Sequence, residues 1–93
     1  MIDATVIEDN VKNIRRNQDF PCYIGDGEIA EEILRRIRDT FPKARMVKRG
    51  SGWWIAANDK ARKELAKSYR RRIKGFEDEI KKIQQIIREL EEE

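Results

Sequence analysis

The most regular pattern in the chain lies in its C-terminal third. Tyr69, Ile73, Phe76, Ile80, Ile83, Ile87 and Leu90 recur at spacings of 4, 3, 4, 3, 4 and 3. This is a heptad repeat, with Ile73, Ile80 and Ile87 at position a and Tyr69, Phe76, Ile83 and Leu90 at position d. The pattern predicts one helix running from a cap at Asn58 or Asp59 to the end of the chain. Such a helix spans about 52 Å at 1.5 Å per residue. The 58 residues before it form a ball with a radius of gyration of only about 10 Å. The distal isoleucines therefore reach past their own domain and need a second helix to cover them. Self-association as a coiled coil through Ile73, Phe76, Ile80, Ile83, Ile87 and Leu90 is the direct solution, a homodimer ahead of a trimer because isoleucine at a with mixed d residues suits both and dimers are the commoner assembly. Gly75 leaves an alternative, because it sits between the basic run Arg70–Lys74 and the acidic run Glu77–Glu79. Basic last turn, glycine and acidic first turn is the signature of a helix stop and restart, which would fold the tail back as a hairpin. The heptad phase passes through Gly75 without a slip, and a mid-helix glycine costs only about 1 kcal/mol, so the continuous helix is preferred.

The earlier pattern predicts a small α+β unit. Thr5 and Glu8 make a capping box, and Ile7, Val11 and Ile14 form one helical stripe, predicting a helix near 6–17, with a strand over 3–8 as the alternative. A short apolar piece, Phe20 to Ile24, suits a brief strand. Asp26 caps a second helix whose inner face is Ile29, Ile33, Leu34, Ile37 and Phe41, and which Pro42 stops. Gly50-Ser51 then suits a two-residue turn with glycine in the first central position. That turn pairs Arg49 with Gly52, Lys48 with Trp53, Val47 with Trp54, Met46 with Ile55 and Arg45 with Ala56. Directly paired residues share a face. One face holds Ala44, Met46, Lys48, Trp53, Ile55 and Ala57 and reads as core. The other holds Arg45, Val47, Arg49, Trp54 and Ala56 and reads as an arginine-flanked aromatic surface, with Trp54 exposed. The expected architecture is α+β: a two-stranded basic hairpin with a possible third short strand and two short helices over 1–58, and a long helix over 59–93 forming a coiled coil.

Charge changes the picture from fold to partner. Charged residues are 42% of the chain and the net charge is +3, but the charges are segregated. Residues 1–32 carry a net −5, residues 33–75 a net +12, and residues 76–93 a net −4. So concentrated a positive block attracts a polyanion. The candidate contacts are Arg45, Lys48 and Arg49 on the hairpin, Trp54 for stacking, and Arg62, Lys63, Arg70, Arg71 and Arg72 on the basic first half of the last helix.

Several classes of chemistry lose their usual residues. The chain has no histidine and a single cysteine, Cys22. Histidine general-base catalysis, His-ligated zinc, thiolate cages and an internal disulfide are excluded, and no cofactor or metal is expected. Neither a Walker A pattern nor GxGxxG occurs. The reading is non-enzymatic, with a histidine-free RNase using Lys, Arg and Tyr69 as the catalytic alternative. No apolar run approaches the length of a membrane span, and the N-terminus lacks the pattern of a signal peptide, so the expected location is cytoplasmic or a host-cell interior.

No family pattern is recognised in the sequence. The order helix, basic hairpin, then a helix beginning NDKARKELAK resembles double-stranded RNA-binding domains in layout, without their loop motifs. The basic-then-zippered last helix resembles the bZIP arrangement in layout, without its base-reading residues. The +12 block, the arginine-flanked Trp54 and the basic helix leading into the heptads point to a DNA- or RNA-binding protein that oligomerises through its C-terminal helix. The alternative is a protein-binding module, such as a viral inhibitor, docking through Trp54 and the charged faces.

Overall fold

Residues 3–92 are described by a computed structural model. The order is α1 (Ala4–Arg16), β1 (Cys22–Ile24), α2 (Gly27–Ile37), β2 (Arg45–Arg49), β3 (Gly52–Ala56) and α3 (Asp59–Glu91). Met1, Ile2 and Glu93, the outer ends of the two expected segments, lie outside the described residues. The fold is α+β, with three helices and a three-stranded antiparallel sheet of order β1-β3-β2.

The first helix begins earlier than its capping box suggests. Asp3 is the N-cap, its carboxylate accepting from the Thr5 N–H at 2.9 Å. The helix thus starts one residue ahead of Thr5, and Ile7 and Ile14 are still its buried stripe. Asp26 caps α2 as expected, accepting from the N–H groups of Glu28 and Ile29. This helix ends at Ile37 and does not run on to Phe41. Phe41 returns to the core on a tight turn, its N–H bonding to the Ile37 carbonyl at 2.7 Å.

The hairpin takes the register read from Gly50-Ser51, from Arg49↔Gly52 to Arg45↔Ala56. Gly50 has φ +62°, the left-handed value that the first central position of this turn requires. The short strand β1 adds to the other side of β3, pairing Tyr23 with Trp54 and Ile24 with Trp53. Strand β3 is therefore central, and its two tryptophans point to opposite layers.

Trp53 faces α1 and α2. There it borders the main core of Ile7, Ile14, Ile24, Ile33, Ile37 and Ile55. The indole lies against the start of α2, where a Cβ at Gly27 would sit 3.0 Å from Trp53 Nε1. Trp54 faces the other way, and α3 covers that face: Ala61, Leu65 and Tyr69 pack on Val47, Trp54 and Ala56. The molecule is thus three layers, α1/α2, sheet and α3.

Helix α3 passes through Gly75 without interruption, capped by Asn58, whose side chain accepts from the Ala61 N–H at 2.9 Å and donates to Asp19 at 2.7 Å. At 33 residues it is far longer than the sheet it covers. The whole chain measures 66 × 29 × 17 Å with a radius of gyration of 18.8 Å, against about 12 Å for a compact chain of this size. The difference is the distal half of α3, which projects alone.

Candidate nucleic-acid interface

The geometry of α3 sorts its cations into two sets. Ala61, Leu65 and Tyr69 face the sheet. Lys67 is two residues from both Leu65 and Tyr69, about 200° of helical rotation away. Lys60, Lys63, Lys67, Arg70 and Lys74, at spacings of 3, 4, 3 and 4, share that outward side, and all five are exposed. They form one continuous basic stripe about 21 Å long. Arg71 flanks the stripe and is also exposed. Of these six, only Lys60 has an acidic partner among the described residues, Asp19 at 3.9 Å.

Arg62 and Arg72 belong to the second set. Arg62 is committed to structure: it donates to the Lys43 carbonyl at 2.9 Å and pairs with Asp59. Arg72 leans inward, its guanidinium 5.6 Å from the Tyr69 ring centroid and 6.0 Å from that of Phe76. The hairpin cations divide as well. Arg45 and Arg49 share the α3 side of the sheet, Arg49 lying 5.9 Å from the Tyr69 ring centroid, while Lys48 is on the opposite side, opposite Trp53.

The expectation that Trp54 stands free in solvent is corrected. Its ring is half-buried under Leu65, meets Tyr23 edge-on at a centroid distance of 5.3 Å, and its Nε1 is shut off from solvent. The reason is that Val47, Trp54 and Ala56 form an apolar patch between the arginines, matching the Ala61-Leu65-Tyr69 stripe of α3. The edge of the ring still borders a cleft of about 220 Å³ that Arg49, Glu64, Ser68 and Arg71 also line. Tyr69, the tyrosine of the RNase alternative, has its hydroxyl buried without a hydrogen-bond partner in the same layer. That hydroxyl faces the sheet and not an incoming strand.

Phe20 is the aromatic that sequence reasoning passed over. It is 66% exposed in the α1–β1 loop. Beside it, Asp19, Lys60, Lys63 and Glu64 complete a cavity of about 310 Å³ at the N-terminal end of the basic stripe. Its signal in the sequence was present but faint: an aromatic between Asp19 and Pro21, in a turn-rich segment too short to bury it.

A groove of about 550 Å³ lies between α1 and α2 on the far side of the molecule. Its cations are largely spoken for: Arg15 pairs with Asp39 at 3.6 Å, and Arg35 and Arg36 both pair with Glu32. Burial pushes the Cys22 thiol above its usual range, against a weak hydrogen bond from Asn13, so it is protonated and a poor nucleophile at neutral pH. Among the described residues no group of three or more His, Cys, Asp or Glu side chains is placed to hold a metal ion. No helix among them is long and apolar enough to cross a membrane. Comparison with protein-family models, curated proteins and solved structures finds no match to this chain.

Proposed function

We propose that this protein binds nucleic acid along the outer face of the first half of α3 and self-associates through the second half. The observation that carries the reading is the exposed stripe Lys60-Lys63-Lys67-Arg70-Lys74, four of whose five cations have no acidic partner among the described residues. Such a row neutralises successive phosphates and releases their counterions. Phe20 stands at one end of the row, where it stacks on an unpaired base or packs against a sugar. Arg71, Arg49 and the rim of Trp54 extend the binding surface around the cleft, and Arg45 and Lys48 serve the hairpin edges. No catalytic step is assigned to these residues, and no cofactor takes part.

Binding of this kind is read from its salt dependence. Replacing Lys63, Lys67 and Arg70 together with glutamine weakens binding to all sequences alike. It also flattens the slope of log K against log salt by about 0.7–0.9 for each phosphate no longer neutralised. Replacing Arg35 and Arg36, on the far side and already paired with Glu32, leaves the slope unchanged. Weakening confined to one sequence with the slope intact would contradict backbone binding. Purified protein that shows no salt-sensitive affinity for DNA or RNA would favour the protein-binding reading, which the exposed isoleucines of α3 otherwise support.

A further inference from the structure

The row of apolar side chains on the distal half of α3 has no cover among the described residues. Ile73, Phe76, Ile80, Ile83, Ile87 and Leu90 are between 47% and 79% exposed. Resting on the self-association proposed above, we infer that two copies pair through this row in antiparallel orientation, as a two-stranded coiled coil.

The first argument is steric. Tyr69, Phe76, Ile83 and Leu90 are seven residues apart and face one direction, and Tyr69 packs against the sheet. The sheet and the α1/α2 layer behind it therefore stand on the same side of α3 as the exposed row. In a parallel pair, both copies would place these layers between the two helices. At layer spacings of about 10 Å, that holds the helices about 50 Å apart at Leu65. Ile73 is only about 12 Å further along the axis, and packing there needs a separation of about 8–10 Å. A straight α3 cannot satisfy both. An antiparallel pair places each folded unit beyond the end of the other helix.

The charges favour the same orientation. The sheet acts as a stop. When the Leu90 end of one helix reaches Ile73 of the second copy, Ile80 lies opposite Ile83. Glu91 then lies across the seam from Arg70 of the second copy, and Glu89 and Glu92 stand at the same level along the axis as its arginine cluster of Arg70, Arg71 and Arg72. None of these three arginines has a salt-bridge partner among the described residues. A parallel pair would gain one favourable match, Arg72 with Glu77, but would stack arginine cluster on arginine cluster and acidic tip on acidic tip. Like charges held side by side cost energy of the same order as opposite charges gain. Antiparallel pairing also sends Lys60, Lys63, Lys67 and Lys74 of the two copies to opposite faces of the dimer, with Arg70 at the edge where each stripe meets the partner helix.

The test is a distance measurement between spin labels, in a Cys22→Ser background so that each chain carries one label. With Glu91→Cys labelled, the antiparallel dimer separates the two labels by about 30 Å along the axis. A mixed dimer of Arg70→Cys and Glu91→Cys chains brings its labels within about 20 Å. A parallel dimer reverses the two results, which overturns the orientation and leaves self-association standing. A particle that light scattering shows to be a monomer at tens of micromolar (about the range of a weak coiled coil) overturns self-association itself, and a trimer overturns the two-stranded pairing. Nucleic-acid binding by the stripe is read separately from its salt slope.

Discussion

Between Ala61 and Tyr69 the inward side chains of α3 lie against Val47, Trp54 and Ala56, whereas from Ile73 to Leu90 the same side of the helix is exposed, with no other element of the described residues packed on it. One helix, with one continuous apolar stripe, thus has two different surroundings. In the first half, the stripe is supported by the sheet, and the opposite face is free to be uniformly basic. In the second half, nothing among the described residues removes the isoleucines from water. An isolated helix of this length is marginal, and burying each such side chain is worth about 1.5–3 kcal/mol. The comparison teaches that helix periodicity says where a partner surface is needed, but not whether the chain itself supplies it.

The largest expected effect breaks the second half and spares the first. Ile80→Asp with Ile87→Asp puts four carboxylates into the seam of a dimer, and each buried charge costs several kcal/mol. Association should weaken by at least about a thousandfold, giving a monomer by light scattering. The thermal unfolding of the sheet and its helices should stay where it was when compared at equal monomer concentration. If these substitutions also unfold the sheet, the two halves are not separable and the comparison fails.

The next effect runs the other way. Leu65→Ala, in the supported half, removes a buried side chain from the layer between β3 and α3 and should cost about 2–4 kcal/mol in urea denaturation. Trp54→Ala should cost a similar amount, because its ring is part of that layer. Ile83→Ala, one of the exposed positions, should leave the stability of a dilute monomer unchanged. A neutral Trp54→Ala would restore the ring to the role of an exposed stacking platform.

Those two predictions mark where the sequence was legible. The hairpin register followed from Gly50-Ser51, since the turn fixes which residues pair and therefore which share a face. The cap at Asn58 and the unbroken helix through Gly75 followed from local chemistry and phase. What did not follow was which neighbour each face would find. Arg45 and Arg49 beside Trp54 read as a surface, because an arginine pattern does not reveal that a guanidinium can sit over an aromatic ring of its own chain, as that of Arg49 does over Tyr69. Two apolar faces, Val47-Trp54-Ala56 and Ala61-Leu65-Tyr69, are each legible alone, but nothing local in either says that they cover each other. The surface proposed to bind nucleic acid was obscured for the same reason. The arginine cluster is the denser local signal, while the regular spacing of Lys60, Lys63, Lys67, Arg70 and Lys74 is the pattern that places five cations on one face.

The smallest effect sharpens the boundary between the halves. Gly75 lies just past the sheet, where the supported helix becomes the unsupported one. Its backbone is not in the left-handed region, where Gly50 stands alone among the described glycines, and an added Cβ would meet nothing within 4 Å. Alanine therefore fits without strain. In a helix interior it is favoured over glycine by about 1 kcal/mol, largely because the unfolded chain loses fewer conformations. The gain should appear in the second half alone. In the monomeric Ile80→Asp, Ile87→Asp background, Gly75→Ala should raise the helical ellipticity at 222 nm and slow amide exchange beyond residue 75. The unfolding transition of the sheet should not move. Were the tail instead folded back at this point, with Gly75 in a left-handed turn, alanine would be strained there and helicity would fall. A loss of ellipticity on Gly75→Ala would therefore mean that the distal half is a returning hairpin, with its isoleucines covered by its own chain.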